Sequence, residues 1–80
     1  MHELSIALSI VEIAQEQGEQ LGGRVDAVHL RLGSLAGVTR DALLFCYDVA
    51  CQETPLAGSR LVIQDVVGTD LEVSALELEE

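Results

Sequence analysis

From Glu3 to Gln20 the apolar residues Leu4, Ala7, Leu8, Val11 and Ala14 recur at three- and four-residue intervals. Ile6, Ile10 and Ile13 widen that stripe, while Glu12, Glu16 and Glu19 fill the opposite side. This is the pattern of an amphipathic helix, and Gly22-Gly23 supplies the permissive residues that end one. The pattern then changes period. Val28, Leu30 and Leu32 alternate with Ala27, His29 and Arg31, which predicts a strand over Val25 to Leu32 with one face covered and one partly wet. Gly33-Ser34-Leu35-Ala36-Gly37 reads as a turn or loop.

Thr39 is a natural N-cap, and Asp41 in the first turn suits the helix dipole, so a second helix is expected from about Arg40 to Gln52. It would bury Leu43, Leu44, Tyr47 and Ala50 or their neighbours. Pro55 forbids its continuation. Two strand-like runs follow, Leu61 to Val67 and Leu71 to Glu79, split by Gly68-Thr69-Asp70. The pattern resembles a hairpin with a tight turn. The last run changes phase between Val73 and Leu76, which predicts a bulge near Ala75. The element order is therefore helix, strand, helix, strand, strand, and a two-layer α+β domain is the simplest way to cover every apolar face. If the strands flanking the second helix are parallel, that unit should cross over right-handed.

Length and composition narrow the picture. A chain of 80 residues and 8.6 kDa allows one domain. Phe45 and Tyr47 are its only aromatics, so the core must be aliphatic. Fourteen Asp and Glu stand against four Arg and no Lys, a formal net charge of -10. Such a surface repels nucleic acid and anionic membranes, whose binding depends on clustered cations. It suits cations or basic partners, although a solvated carboxylate face has the same sign. No apolar run is long enough to cross a membrane. The N-terminus carries Glu3 and no basic region, so a secretory signal is not expected. Cys46 and Cys51 lie five apart in the expected second helix, about 500° round its axis, and cannot bridge each other. Two reduced thiols in a cytoplasmic protein is the plain reading.

Catalytic constellations are missing from the sequence. Gly33 to Gly37 lacks the lysine and length of a P-loop, the spacing of a dinucleotide fingerprint, and the serine position of a nucleophile elbow. Two histidines, two thiols and no lysine leave little for acid–base work, so the chain is not expected to be an enzyme. The unusual piece is Met1-His2-Glu3. A free α-amino group with a pKa of about 7.7 to 8.0 can release its proton near neutrality. With the amide nitrogen and imidazole Nδ1 of His2 it forms adjacent chelate rings, an in-plane set of nitrogens that favours Ni(II) or Cu(II) over tetrahedral Zn. Glu3 could supply a fourth oxygen or merely balance charge. His29, beside Arg31 on the wetter strand face, reads as surface or partly packed. With no C-x-x-C pair, Cys46 and Cys51 read as small core residues and no structural zinc is expected.

The opening M-H-E-L-S-I resembles the hydrogenase/urease nickel-incorporation proteins, the HypA-type metallochaperones. So do V-x-L-R-L-G-S-L-A-G-V at Val28 to Val38, L-x-F-x-Y-D-x-A-C at Leu43 to Cys51, T-P-L-A-G-S-R-L-V-I at Thr54 to Ile63 and L-E-V-S-A-L-E-L-E at Leu71 to Glu79. The resemblance implies two helices on a three-stranded mixed sheet, with nickel held by the Met1 amine, His2 and backbone amide nitrogens, and Glu3 beside them. It further implies delivery of Ni(II) to a [NiFe]-hydrogenase large-subunit precursor, in concert with a maturation GTPase of the HypB type; some members also serve urease. The alternative is an acidic interaction module that docks such a GTPase without transferring metal. The resemblance also places a zinc domain with two C-x-x-C pairs between the second and third strands. Here about Gly68-Thr69 stands in that place, so the chain reads as a single nickel-binding domain, 1–80, with the zinc domain deleted, whether by engineering or naturally. A link that short invites the last strand to pair with a second copy, giving a homodimer by strand exchange.

Overall fold

The computed structural model describes residues 2–79. Helix α1 (Glu3–Leu21), strand β1 (Val25–Gly33), helix α2 (Arg40–Cys51), strand β2 (Arg60–Val66) and strand β3 (Leu71–Leu78) follow one another in the expected order. The three strands form one mixed sheet with the helices packed on one of its faces, an α+β fold. At the end of α1, Gly22 adopts φ 72°. The Gly22 N–H bonds the Glu19 carbonyl and the Gly23 N–H bonds the Gly18 carbonyl, closing the last turn.

The buried stripe of α1 is Ala7, Ile10, Val11, Ala14 and Gly18. It is rotated from the stripe that spacing suggested, because Leu4 and Leu8 remain 47% and 52% exposed. The small residues are what let α1 come close: a methyl at Gly18 would meet Val25 Cγ2 at 2.9 Å. Helix α2 buries Leu43, Tyr47, Ala50 and Cys51, leaving Leu44 half-buried. With Val28 and Leu30 of β1 and Leu56 these make the core, flanked by Leu61, Ile63, Val73 and Leu76.

The expected hairpin is not formed. The strand order is β2-β1-β3, with β1 parallel to β2 and antiparallel to β3. Burial explains why β1 takes the centre. Its helix-facing Val28, Leu30 and Leu32 are at most 4% exposed, and Ala27 on the opposite face is fully covered, whereas β2 and β3 contain only half-buried and exposed positions. A strand with apolar cover on both faces gains most from two neighbours. The segment 67–70 therefore does not turn back; it crosses the C-terminal end of β1. The distance is two strand spacings, about 10 Å, within the roughly 13 Å that four residues can span. The Gly33, Ser34 and Leu35 N–H groups bond the Asp70, Val66 and Gly68 carbonyls at 2.6, 2.8 and 2.7 Å. The link thus joins β2 to β3 inside one chain.

The bulge is present one residue from its expected place. His29 pairs with Ala75 and Leu30 with Val73, so Ser74 is the extra residue, and its hydroxyl donates to the His29 carbonyl. This keeps Val73 and Leu76 on the same face although they are three apart.

Candidate functional site

The N-terminal residues are placed by the start of α1. His2 sits just ahead of the helix in extended backbone, φ -85° and ψ 105°. Its side chain is exposed, and its carbonyl accepts the Ile6 N–H at 3.2 Å. Amides at a helix start have no carbonyl of their own helix to bond, so the His2 nitrogen is not tied into the α1 ladder. Met1 lies outside the described residues.

Glu3 has a partner that no sequence pattern announces. Its Oε2 accepts the backbone N–H of Thr39 at 3.2 Å, bringing the starts of α1 and α2 together. That bond and Glu3's own backbone N–H hold the carboxyl below its ordinary value, against a smaller opposing effect of desolvation. Thr39 occupies the expected N-cap of α2, yet its hydroxyl makes no capping bond. Its carbonyl accepts the Leu43 N–H at 2.9 Å, opening the helix, and Asp41 lies in the first turn.

The other candidates lie elsewhere. His29 is half-buried on the sheet face away from the helices, with Nε2 2.6 Å from Glu77 Oε2. The same carboxylate is 3.8 Å from Arg60, while Arg31 lies 3.2 Å from Asp70 and 3.3 Å from Glu72. Arg31 and Glu72 are direct cross-strand partners, and Arg60 and Glu77 flank Ala27 from the two sides, so these pairs form a polar network over the open face. Glu72 and Glu77 in these pairs keep side chains 61% and 49% exposed, and Glu79, 61% exposed, lies 3.7 Å from Arg24; Glu80 lies outside the described residues. Both thiols are free, Cys46 half-buried and Cys51 buried, and burial pushes the Cys51 thiol up. A groove of about 580 Å³ runs between the C-terminal end of α1 and Thr54-Pro55-Leu56, at the far end of α1 from His2. Among the described residues no cluster of three or more His, Cys, Asp or Glu side chains could hold a metal. A chelate at the N-terminus has a different donor set, built from an amine, an amide and one imidazole.

The family model described as hydrogenase/urease nickel incorporation, metallochaperone, hypA, matches residues 1–74. The chain belongs to the HypA family. It is 61% identical over 67 residues to the hydrogenase maturation factor HypA of Roseiflexus sp. (strain RS-1), covering 82% of this chain and 54% of that relative. It is 47% identical over 68 residues to HypA of Geobacter metallireducens, covering 85% and 60%. A hydrogenase maturation factor named HybF, from Klebsiella pneumoniae, is 48% identical over 68 residues, covering 84% and 59%. The chain therefore spans little more than half the length of these HypA and HybF relatives. The HypA family is described as one of metallochaperones, proteins that carry metal and are not enzymes. Among the described residues no helix is long and apolar enough to cross a membrane.

Proposed function

We propose that this HypA-family chain binds Ni(II) reversibly at its N-terminus and delivers it for [NiFe]-hydrogenase maturation. The α-amino group of Met1, and the amide nitrogen and imidazole Nδ1 of His2, hold the ion, with Glu3 beside them. Nickel is the cargo, passed in concert with a HypB-type GTPase to a hydrogenase large-subunit precursor in the cytoplasm, where Cys46 and Cys51 stay reduced. Residues 1–80 act as one domain in this role, with the short 67–70 link between β2 and β3 and no resident zinc.

The observation that carries the reading is the setting of His2. An exposed imidazole on extended backbone, one residue ahead of a rigid helix, leaves its own amide free to join an in-plane set of nitrogens, which suits Ni(II). Affinity falls as pH drops, because protons compete for the amine, amide and imidazole.

A nickel titration of protein with a free N-terminal amine, followed by d–d absorption, tests this. The expected result is a one-to-one yellow complex of planar type that His2→Ala abolishes while the fold is retained, since residue 2 precedes the packed helix. Weak binding that is equal in both proteins would refute the site and mean that the acidic surface merely collects cations.

A further inference from the structure

Glu3 and Thr39 are 36 residues apart, yet the Thr39 N–H is donated to Glu3 Oε2 at 3.2 Å. The Thr39 hydroxyl makes no capping bond, so the Glu3 carboxylate, which Glu3's own backbone N–H also meets, supplies an acceptor at the start of α2 that the local sequence does not. His2, ahead of Glu3, is tied to α1 through its carbonyl. Among the described residues, the bond from the Ile6 N–H to the His2 carbonyl ties His2 to α1, and the bond from the Thr39 N–H to the Glu3 carboxylate ties the start of α1 to the start of α2.

We infer that Glu3 and the Thr39 N–H form a brace that orients the N-terminal nickel chelate, so that Glu3 serves nickel binding through Thr39 and not by giving its carboxylate to the metal. This rests on the nickel reading above and adds Thr39, a backbone donor at the N-cap of α2, as a positioning group for that site. Partners that orient metal-binding groups are commonly worth about 10- to 100-fold in metal affinity. The brace also gives the site a reporter inside the fold. A planar chelate fixes the backbone of residues 1–3, and any shift of Glu3 reaches Thr39, the N-cap of α2.

Three substitutions separate a brace from a ligand. Glu3→Gln keeps an acceptor oxygen for Thr39 and removes the charge, whereas Glu3→Ala removes both. Thr39→Pro removes the donor while leaving Glu3 intact: the Thr39 φ of -81° suits proline, the lost hydroxyl makes no capping bond, and the carbonyl that accepts from Leu43 is retained. Titrated with Ni(II), Glu3→Ala and Thr39→Pro should each bind about 10-fold more weakly, and the double variant no more weakly than Glu3→Ala. Glu3→Gln should stay within about threefold of the parent, since it keeps the bond in its neutral form. All should show the parent's planar spectrum, because the donor atoms are unchanged.

A purely structural contact would lower the urea midpoint and leave nickel affinity alone. A carboxylate ligand would make Glu3→Gln as weak as Glu3→Ala and change the d–d spectrum. Either outcome overturns the brace. Thr39→Pro also constrains Val38, so a second readout covers a failure of that variant to fold. Low-spin planar Ni(II) is diamagnetic, and the Thr39 amide resonance should shift on nickel addition in the parent but not in Glu3→Ala. A Thr39 resonance unmoved in the parent overturns the brace while leaving the chelate standing. A parent with no planar complex at all overturns the chelate itself, and the brace with it.

Discussion

Tyr47 and Cys51 show how single side chains tie α2 to the loop that follows it. Ser59 Oγ lies 2.6 Å from the Leu56 carbonyl and can give its one proton there, so the Tyr47 hydroxyl donates to Ser59 at 2.7 Å. Burial, more than any neighbour, raises both the Tyr47 hydroxyl and the Cys51 thiol above their ordinary values of 10.0 and 9.0. The unfolded chain releases these protons near those values while the folded chain keeps them. Above about pH 9 the unfolded state thus binds fewer protons, and stability falls as pH rises, by at most about 1.4 kcal/mol per pH unit per group. Urea unfolding from about pH 8 to pH 11 should show a midpoint that declines and steepens past pH 10. Tyr47→Phe should cost about 1 kcal/mol near neutrality and flatten the decline above pH 10. A parent midpoint constant up to pH 11 would contradict the assignment of these two groups.

Among the elements, the crossing of the 67–70 segment over the end of β1 sets the sheet order. A methyl at Gly33 would collide with the Gly68 carbonyl and lie 2.6 Å from the Asp70 nitrogen, backbone that is stitched to Gly33, Ser34 and Leu35 by three hydrogen bonds. Gly33→Ala should therefore destabilise by about 3 kcal/mol, read as a lower urea midpoint with the helices retained by circular dichroism. A change below about 0.5 kcal/mol, the range of ordinary surface substitutions, would mean that the segment moves aside freely. Gly33 also marks what the sequence withholds. The periods of α1, β1 and α2 and the phase slip at Ser74 are local patterns and could be read along the chain. Whether β2 and β3 pair with each other or with β1 is not local: Gly68-Thr69-Asp70 suits a tight turn and a short crossing equally well. The burial of Ala27 on the second face of β1 decides between them, and alternation alone does not reveal it. In the candidate site, His2 and Glu3 stand out by their position. The Thr39 partner of Glu3 emerges only when the starts of two helices meet across 36 residues.

Across the whole molecule the dominant fact is charge. All four arginines sit against carboxylates: Arg24 with Glu79, Arg31 with Asp70 and Glu72, Arg40 with Asp65, and Arg60 with Glu77. Their side chains are 40–64% exposed, and such pairs contribute at most about 1 kcal/mol each. The formal net charge remains -10 on a body whose radius of gyration is 11.9 Å. A Debye length of about 10 Å at 0.1 M salt is comparable to that radius, so at lower salt the carboxylates repel one another across the entire molecule. Added salt weakens the few attractive pairs and the many repulsions together, and the repulsions are more numerous. Raising NaCl from about 10 mM to about 0.5 M should therefore raise the urea midpoint; a fall would mean that the arginine pairs outweigh the self-repulsion. The same screening separates two kinds of nickel binding. Ions gathered by the acidic surface should be lost at about 0.5 M NaCl, whereas a chelate built from amine, amide and imidazole bonds keeps its one-to-one stoichiometry and planar spectrum. A nickel signal that disappears with added salt, in step with the change in the midpoint, would assign the binding to the surface and not to His2.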